Sequence, residues 1–108
     1  MSDIKKEYEF TLPKGYLNPE TGELHRKGVM RLATTKDELL PMRDPRVKDN
    51  PAYLTVIILS RVITELGSIE MINPHVIESL FSQDFDYLRD LYNKINRADG
   101  SAPQIKPL

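Results

Sequence analysis

Asn50-Pro51-Ala52-Tyr53-Leu54-Thr55-Val56-Ile57-Ile58-Leu59-Ser60-Arg61-Val62-Ile63-Thr64-Glu65-Leu66-Gly67 is the stretch on which the fold turns. Asn50 is a good helix N-cap, Pro51 suits the first helical position, and Gly67 suits the position just past a helix end. On a helical wheel Ser60, Arg61, Thr64 and Glu65 share one narrow polar face, and nearly everything else is apolar. A helix apolar over most of its circumference belongs in the centre of a core. The β-branched run Val56-Ile57-Ile58 argues for a strand, but the length and the two caps outweigh it. The spacing therefore predicts a core helix over 51–66.

Downstream, Asn73-Pro74 repeats the cap signature and predicts a short helix to Leu80 or Phe81. Phe85, Leu88, Leu91, Tyr92 and Ile95 then recur at steps of three and four, an amphipathic last helix over 83–97. Asp84 and Asp86 in its first turn and Lys94 and Arg97 near its end suit the helix dipole, and Gly100 is expected to stop it. Upstream, Thr34 with Asp37, or Thr35 with Glu38, fits the Ser/Thr-x-x-acid spacing of a helix start. Pro41 and Pro45 keep that helix short. Met42 to Asn50 reads as an ordered connector crowded with charge.

The first third has a different texture. Tyr8, Phe10 and Leu12 alternate with Glu7, Glu9 and Thr11, the pattern of a half-buried strand. Asn18-Pro19-Glu20-Thr21-Gly22 is a turn, with Pro19 presetting φ and Asn18 capping through its side chain. A second strand follows over about His25–Ala33, with Gly28 a candidate bulge. The expected organisation is a flexible N-terminus (1–7), a β-hairpin arm (8–33), a helical domain (34–100) and a flexible tail (101–108). The expected fold class is α+β, mainly α: an N-terminal β-hairpin or β-arm packed on a bundle of about four helices.

Composition narrows the chemistry. The 108 residues carry 15 Lys plus Arg against 16 Asp plus Glu, a net charge of −1. That balance speaks against nucleic-acid binding through bulk electrostatics. With no cysteine, disulfides, thiolate catalysis and Cys-based metal sites are excluded. His25 and His75 lie fifty positions apart, which speaks against a histidine-rich metal site. No signal-peptide pattern opens the chain, and the longest apolar stretch, Ala52 to Leu59, falls far short of the roughly 20 residues that span a bilayer. A cytoplasmic protein with no nucleic-acid or membrane partner is the expectation.

Ser60 has no adjacent base, no Gly-x-Ser-x-Gly context exists, and no Gly-rich phosphate loop is present. Asp86 and Asp90 lie one turn apart, which fits a solvated face, as does Glu65 with Arg61. The expectation is therefore no enzyme, with no catalytic, cofactor or metal residues. Arg43-Asp44-Pro45-Arg46 reads either as a local ion network holding the loop or as a contact surface whose arginine forks take a partner's carboxylates. Tyr8 and Phe10 on the arm and Tyr53 at the helix start complete the candidate partner-binding set of Tyr8, Phe10, Arg43, Asp44, Arg46 and Tyr53. The arm and the apolar helix are also compatible with a homodimer.

Val29-Met-Arg-Leu-Ala-Thr-Thr-Lys-Asp-Glu38, Arg43-Asp-Pro-Arg-Val47 and Asn50 to Val62 form a recurring pattern with Ile77-Glu-Ser-Leu-Phe81 and Asp84 to Asn96. Over roughly residues 10 to 97 it resembles small proteins encoded with contractile phage tails and phage-tail-like injection systems. These are tail assembly proteins or relatives of T-even phage baseplate proteins. The resemblance implies an assembly factor or chaperone that binds a tape measure, hub or baseplate protein in the cytoplasm of the producing bacterium. The alternative within that family is a minor structural subunit of the baseplate or hub, incorporated in the tail particle. Outside it stands a regulatory adaptor unrelated to tails. The resemblance brings no catalytic residues. A β-arm and tail with balanced charge suit reversible binding.

Overall fold

Strands β1 (Glu7–Leu17) and β2 (Leu24–Arg31) form an antiparallel hairpin in the computed structural model, which describes residues 4–97. The expected tail 101–108, the stop at Gly100 and the first three residues of the expected N-terminal segment lie outside the described residues. Phe10, Leu12 and Met30 are buried on one face while Glu9, Thr11 and Lys27 are exposed on the other, as period-two patterning requires. The turn forms as its residues dictate: the Asn18 side chain accepts from the Glu20 N–H at 2.9 Å.

Helix α1 (Thr35–Leu39) follows, then a 3-10 helix (Leu40–Arg43), α2 (Pro45–Asp49) and α3 (Tyr53–Val62). The connector expected over 42–50 thus contains its own helical turn. Asp44 caps it, accepting from the Arg46 N–H at 2.8 Å, with Pro45 in the first turn. This is the signature already recognised at Asn73-Pro74, where α4 (Pro74–Glu78) starts with the Asn73 side chain accepting from the Val76 N–H. The last helix, α5 (Ser82–Asn96), lies within a residue of its expected bounds.

The expected core helix 51–66 is corrected at both ends. Asn50 caps a turn rather than the helix itself, its side chain accepting from the Ala52 N–H at 3.2 Å. At Ile63 the backbone turns extended (φ −83°, ψ 112°), and Ile63–Leu66 becomes strand β3. β3 pairs antiparallel with β2, Gly28 opposite Leu66 and Val29 opposite Glu65. Val62, Ile63 and Thr64 are β-branched and lose little on leaving a helix. The open edge of β2 offers their backbone a ladder.

This overturns the expected hairpin or arm on a bundle of about four helices. The described residues form a three-stranded antiparallel sheet, order β1-β2-β3, together with five α-helices. The hairpin is two-thirds of that sheet and no free arm. Its inner face, β3, α3 and α5 share one core, in which Leu12, Met30, Leu59, Val62 and Tyr92 are fully buried.

Gly28 is not a bulge in the hairpin; it stands in register with Phe10 and Leu66. Its role is close approach. A Cβ there would lie 2.4 Å from the Glu65 carbonyl oxygen and 2.5 Å from the Phe10 ring. Gly28→Ala is expected to cost about 2 kcal/mol through overpacking, measured as a lowered urea midpoint; an unchanged midpoint would contradict this packing. The register shifts elsewhere: in β1 between Thr11 and Tyr16, across the segment holding Pro13 and Gly15, and between β2 and β3 at Val29 and Met30.

Candidate functional site

The richest polar chemistry gathers around α1. Thr34 precedes the helix in extended conformation, and Asp37 three residues on returns its carboxylate to Thr34, accepting from the backbone N–H at 2.8 Å and the hydroxyl at 3.1 Å. That is the acid arm of the expected capping box. The same carboxylate is buried, 2% exposed, and is gripped from β2 and α3 as well. Arg31 donates to both oxygens, Nη1 to Oδ2 at 2.7 Å and Nη2 to Oδ1 at 2.9 Å, and Arg61 donates Nε to Oδ1 at 3.1 Å. Arg31 also bonds the carbonyls of Leu32 and Arg61.

Burial alone would raise the pKa of such an acid. The Arg31 fork outweighs it and, with Thr34 and Arg61, holds the Asp37 carboxyl well below the usual carboxylate range. Asp37 in turn raises the pKa of Arg31. Five donors engage this carboxylate, so it is a fixed anion rather than a proton acceptor.

Glu38, the next residue, ties α1 to the end of α5. It accepts from the hydroxyl of fully buried Tyr92 and from Arg97 Nη2 at 3.0 Å. Burial and this bond push the Tyr92 phenol above its ordinary range. Asn96 adds a bond from the Ala33 N–H to its side-chain oxygen at 2.9 Å. One five-residue helix thus joins sheet, core helix and last helix through two adjacent acids.

A second buried carboxylate fixes the irregular part of β1. Asp84, fully buried in the first turn of α5, accepts from the Lys14 N–H at 2.8 Å and the Gly15 N–H at 2.9 Å. Gly15 has φ +107°, a conformation that favours glycine. The sequence marked Asp84 only as a dipole-compatible charge.

The expected partner-binding residues are not brought together. Phe10 is 4% exposed and packs edge-on against Tyr87, with ring centroids 6.5 Å apart, so it belongs to the core and leaves the candidate surface. Tyr8 is half-buried with the Lys5 ammonium 4.6 Å from its ring centre. Asp44 and Arg46 bond each other, Nη2 to Oδ2 at 2.8 Å, and the Arg46 guanidinium lies 5.2 Å from the Tyr53 ring centre. Tyr53 donates its hydroxyl to Glu78 of α4. The local ion network is therefore what this loop contains, and Arg43 is the exposed member without an ion pair among the described residues.

The expected Glu65–Arg61 pair is replaced by Arg61–Asp37, because Glu65 stands on β3. His75 is exposed, whereas His25 is buried against Gly67. Among the described residues no group of three or more metal-ligating side chains comes together, and no helix is long and apolar enough to cross a membrane. What the α1 cluster can do is hold three elements in fixed register and present cationic groups at its rim. No family model, curated protein or solved structure matches the chain.

Proposed function

We propose that this protein is an assembly factor or chaperone for a contractile phage tail or phage-tail-like injection particle, acting by protein–protein binding to a tail, hub or baseplate component. The tail context rests on the resemblance carried by residues 29–38, 43–47, 50–62, 77–81 and 84–96. The contact role is supported by one observation above others: Leu17 and Leu24, opposite each other at the hairpin end, are 53% and 54% exposed. Large apolar side chains held at the surface by a rigid hairpin are what a partner buries at an interface core. Since the hairpin is built into the sheet, contact is made by a fixed surface and not by a free arm.

Purified particles and a strain lacking the gene test this reading. An assembly factor is required for intact tails yet absent from finished particles. Stoichiometric presence in the particle would establish the minor structural subunit instead. Normal tails without the gene would leave a regulatory adaptor outside tail assembly.

A further inference from the structure

Around α1, three guanidinium groups, Arg31, Arg61 and Arg97, meet two carboxylates, Asp37 and Glu38, leaving one surplus positive charge. The hydrogen bonds show where the surplus resides. Arg31 spends both terminal nitrogens on Asp37 and on the carbonyls of Leu32 and Arg61. Arg97 bonds Glu38 and lies with its guanidinium carbon 5.9 Å from the Tyr92 ring centre. Arg61 gives only Nε to Asp37, and among the described residues nothing accepts from its two η nitrogens.

Those η nitrogens are not among the buried polar atoms lacking a partner, and the side chain is 34% exposed, so its outer edge meets solvent. The result is a planar fork with one edge anchored and the other open. Anchoring matters because a long side chain that is already ordered loses less freedom on binding. Partial burial also weakens the competition from water.

We propose that Arg61 is the cationic anchor of a docking surface and takes a carboxylate from an acidic side chain of a bound protein, its η N–H groups donating to both oxygens. The proposal rests on the reading that this chain works by protein contact. Bidentate guanidinium–carboxylate geometry fits the open edge. A single surplus charge on a chain of net charge −1 fits one carboxylate and not a polyanion.

The test uses the full chain, 15N-labelled, with NMR detection of arginine side-chain signals. The probe is a short peptide of alternating Glu and Ser; its controls are the same peptide with Gln for Glu, and inorganic phosphate at matched ionic strength. The Glu peptide is expected to shift the Arg61 signals saturably, beyond those of exposed Arg43, and Arg61→Lys is expected to weaken the apparent affinity, read in both proteins at the backbone amides of Asp37 and Val62, about fivefold. The proposal is overturned if Arg61 moves no more than Arg43, if the Gln peptide acts equally, or if only phosphate acts. Such a failure would remove the anchor and leave the particle-composition test of function untouched.

Discussion

Asp37→Ala is expected to lose about 3–5 kcal/mol of stability, with Tm lower by about 15 °C, the largest effect of any single polar substitution around α1. The cause is less the loss of five hydrogen bonds than what they leave behind. Arg31 and Arg61 would face each other as like charges, both about one-third exposed, and the Thr34 N–H would lose its acceptor. Measured against a total stability of about 5–15 kcal/mol for a domain, this takes a large share. Equilibrium denaturation of the variant decides it. A loss below about 1 kcal/mol would show that the network is not holding the layers together.

The same residue sets an acid limit. Because the folded pKa of Asp37 lies below its unfolded value of 3.8, its contribution is fully present above that value. It is lost as pH falls through the lowered folded pKa, where the folded carboxylate finally takes up a proton. The stability gap between the wild type and Asp37→Asn is therefore expected to be constant from pH 7 to about 5 and to narrow below 4. A gap that stayed level to pH 2 would contradict the ion pair.

Asp84→Ala is expected to cost about 3 kcal/mol, since the Lys14 and Gly15 N–H groups lose a buried charged acceptor and cannot all regain water. The effect should be local in origin: hydrogen exchange at Lys14 and Gly15 is expected to speed up more than at Phe10 or Met30. Uniform acceleration over all four amides would mean that Asp84 acts on global stability alone. Asp84→Asn keeps one acceptor and should recover part of the loss.

These two acids show where sequence patterning stops. Thr34-x-x-Asp37 was legible as a helix start because capping is a contact between residues three apart. Nothing local says that Arg31 and Arg61 converge on the same carboxylate, since that needs β2 and α3 already in place. Asp84 is similar, with its two donors about seventy positions away. Charge, usually a sign of exposure, gives no hint of burial at either position, because the desolvation of both acids is offset by donors from distant elements. Tyr92, by contrast, was placed on the buried stripe by periodicity alone, and only its bond to Glu38 was hidden.

Element identity followed the same division. The hairpin turn, the Asn73-Pro74 start and α5 were determined by the sequence itself, because turn chemistry, caps and apolar spacing all act within a few residues. Asp44-Pro45 carried the same signal as Asn73-Pro74, and its helix was readable on that ground. The bundle expectation failed at Ile63–Leu66, where helical spacing continues but the chain goes extended. There the tertiary structure decided: Ile63 and Thr64 are β-branched while Glu65 and Leu66 favour helix, so local preferences oppose one another, and the unpaired edge of β2 supplies backbone partners that a last helical turn would have left empty. That choice turns a hairpin into a sheet, and it moves Glu65 away from Arg61 and onto the sheet.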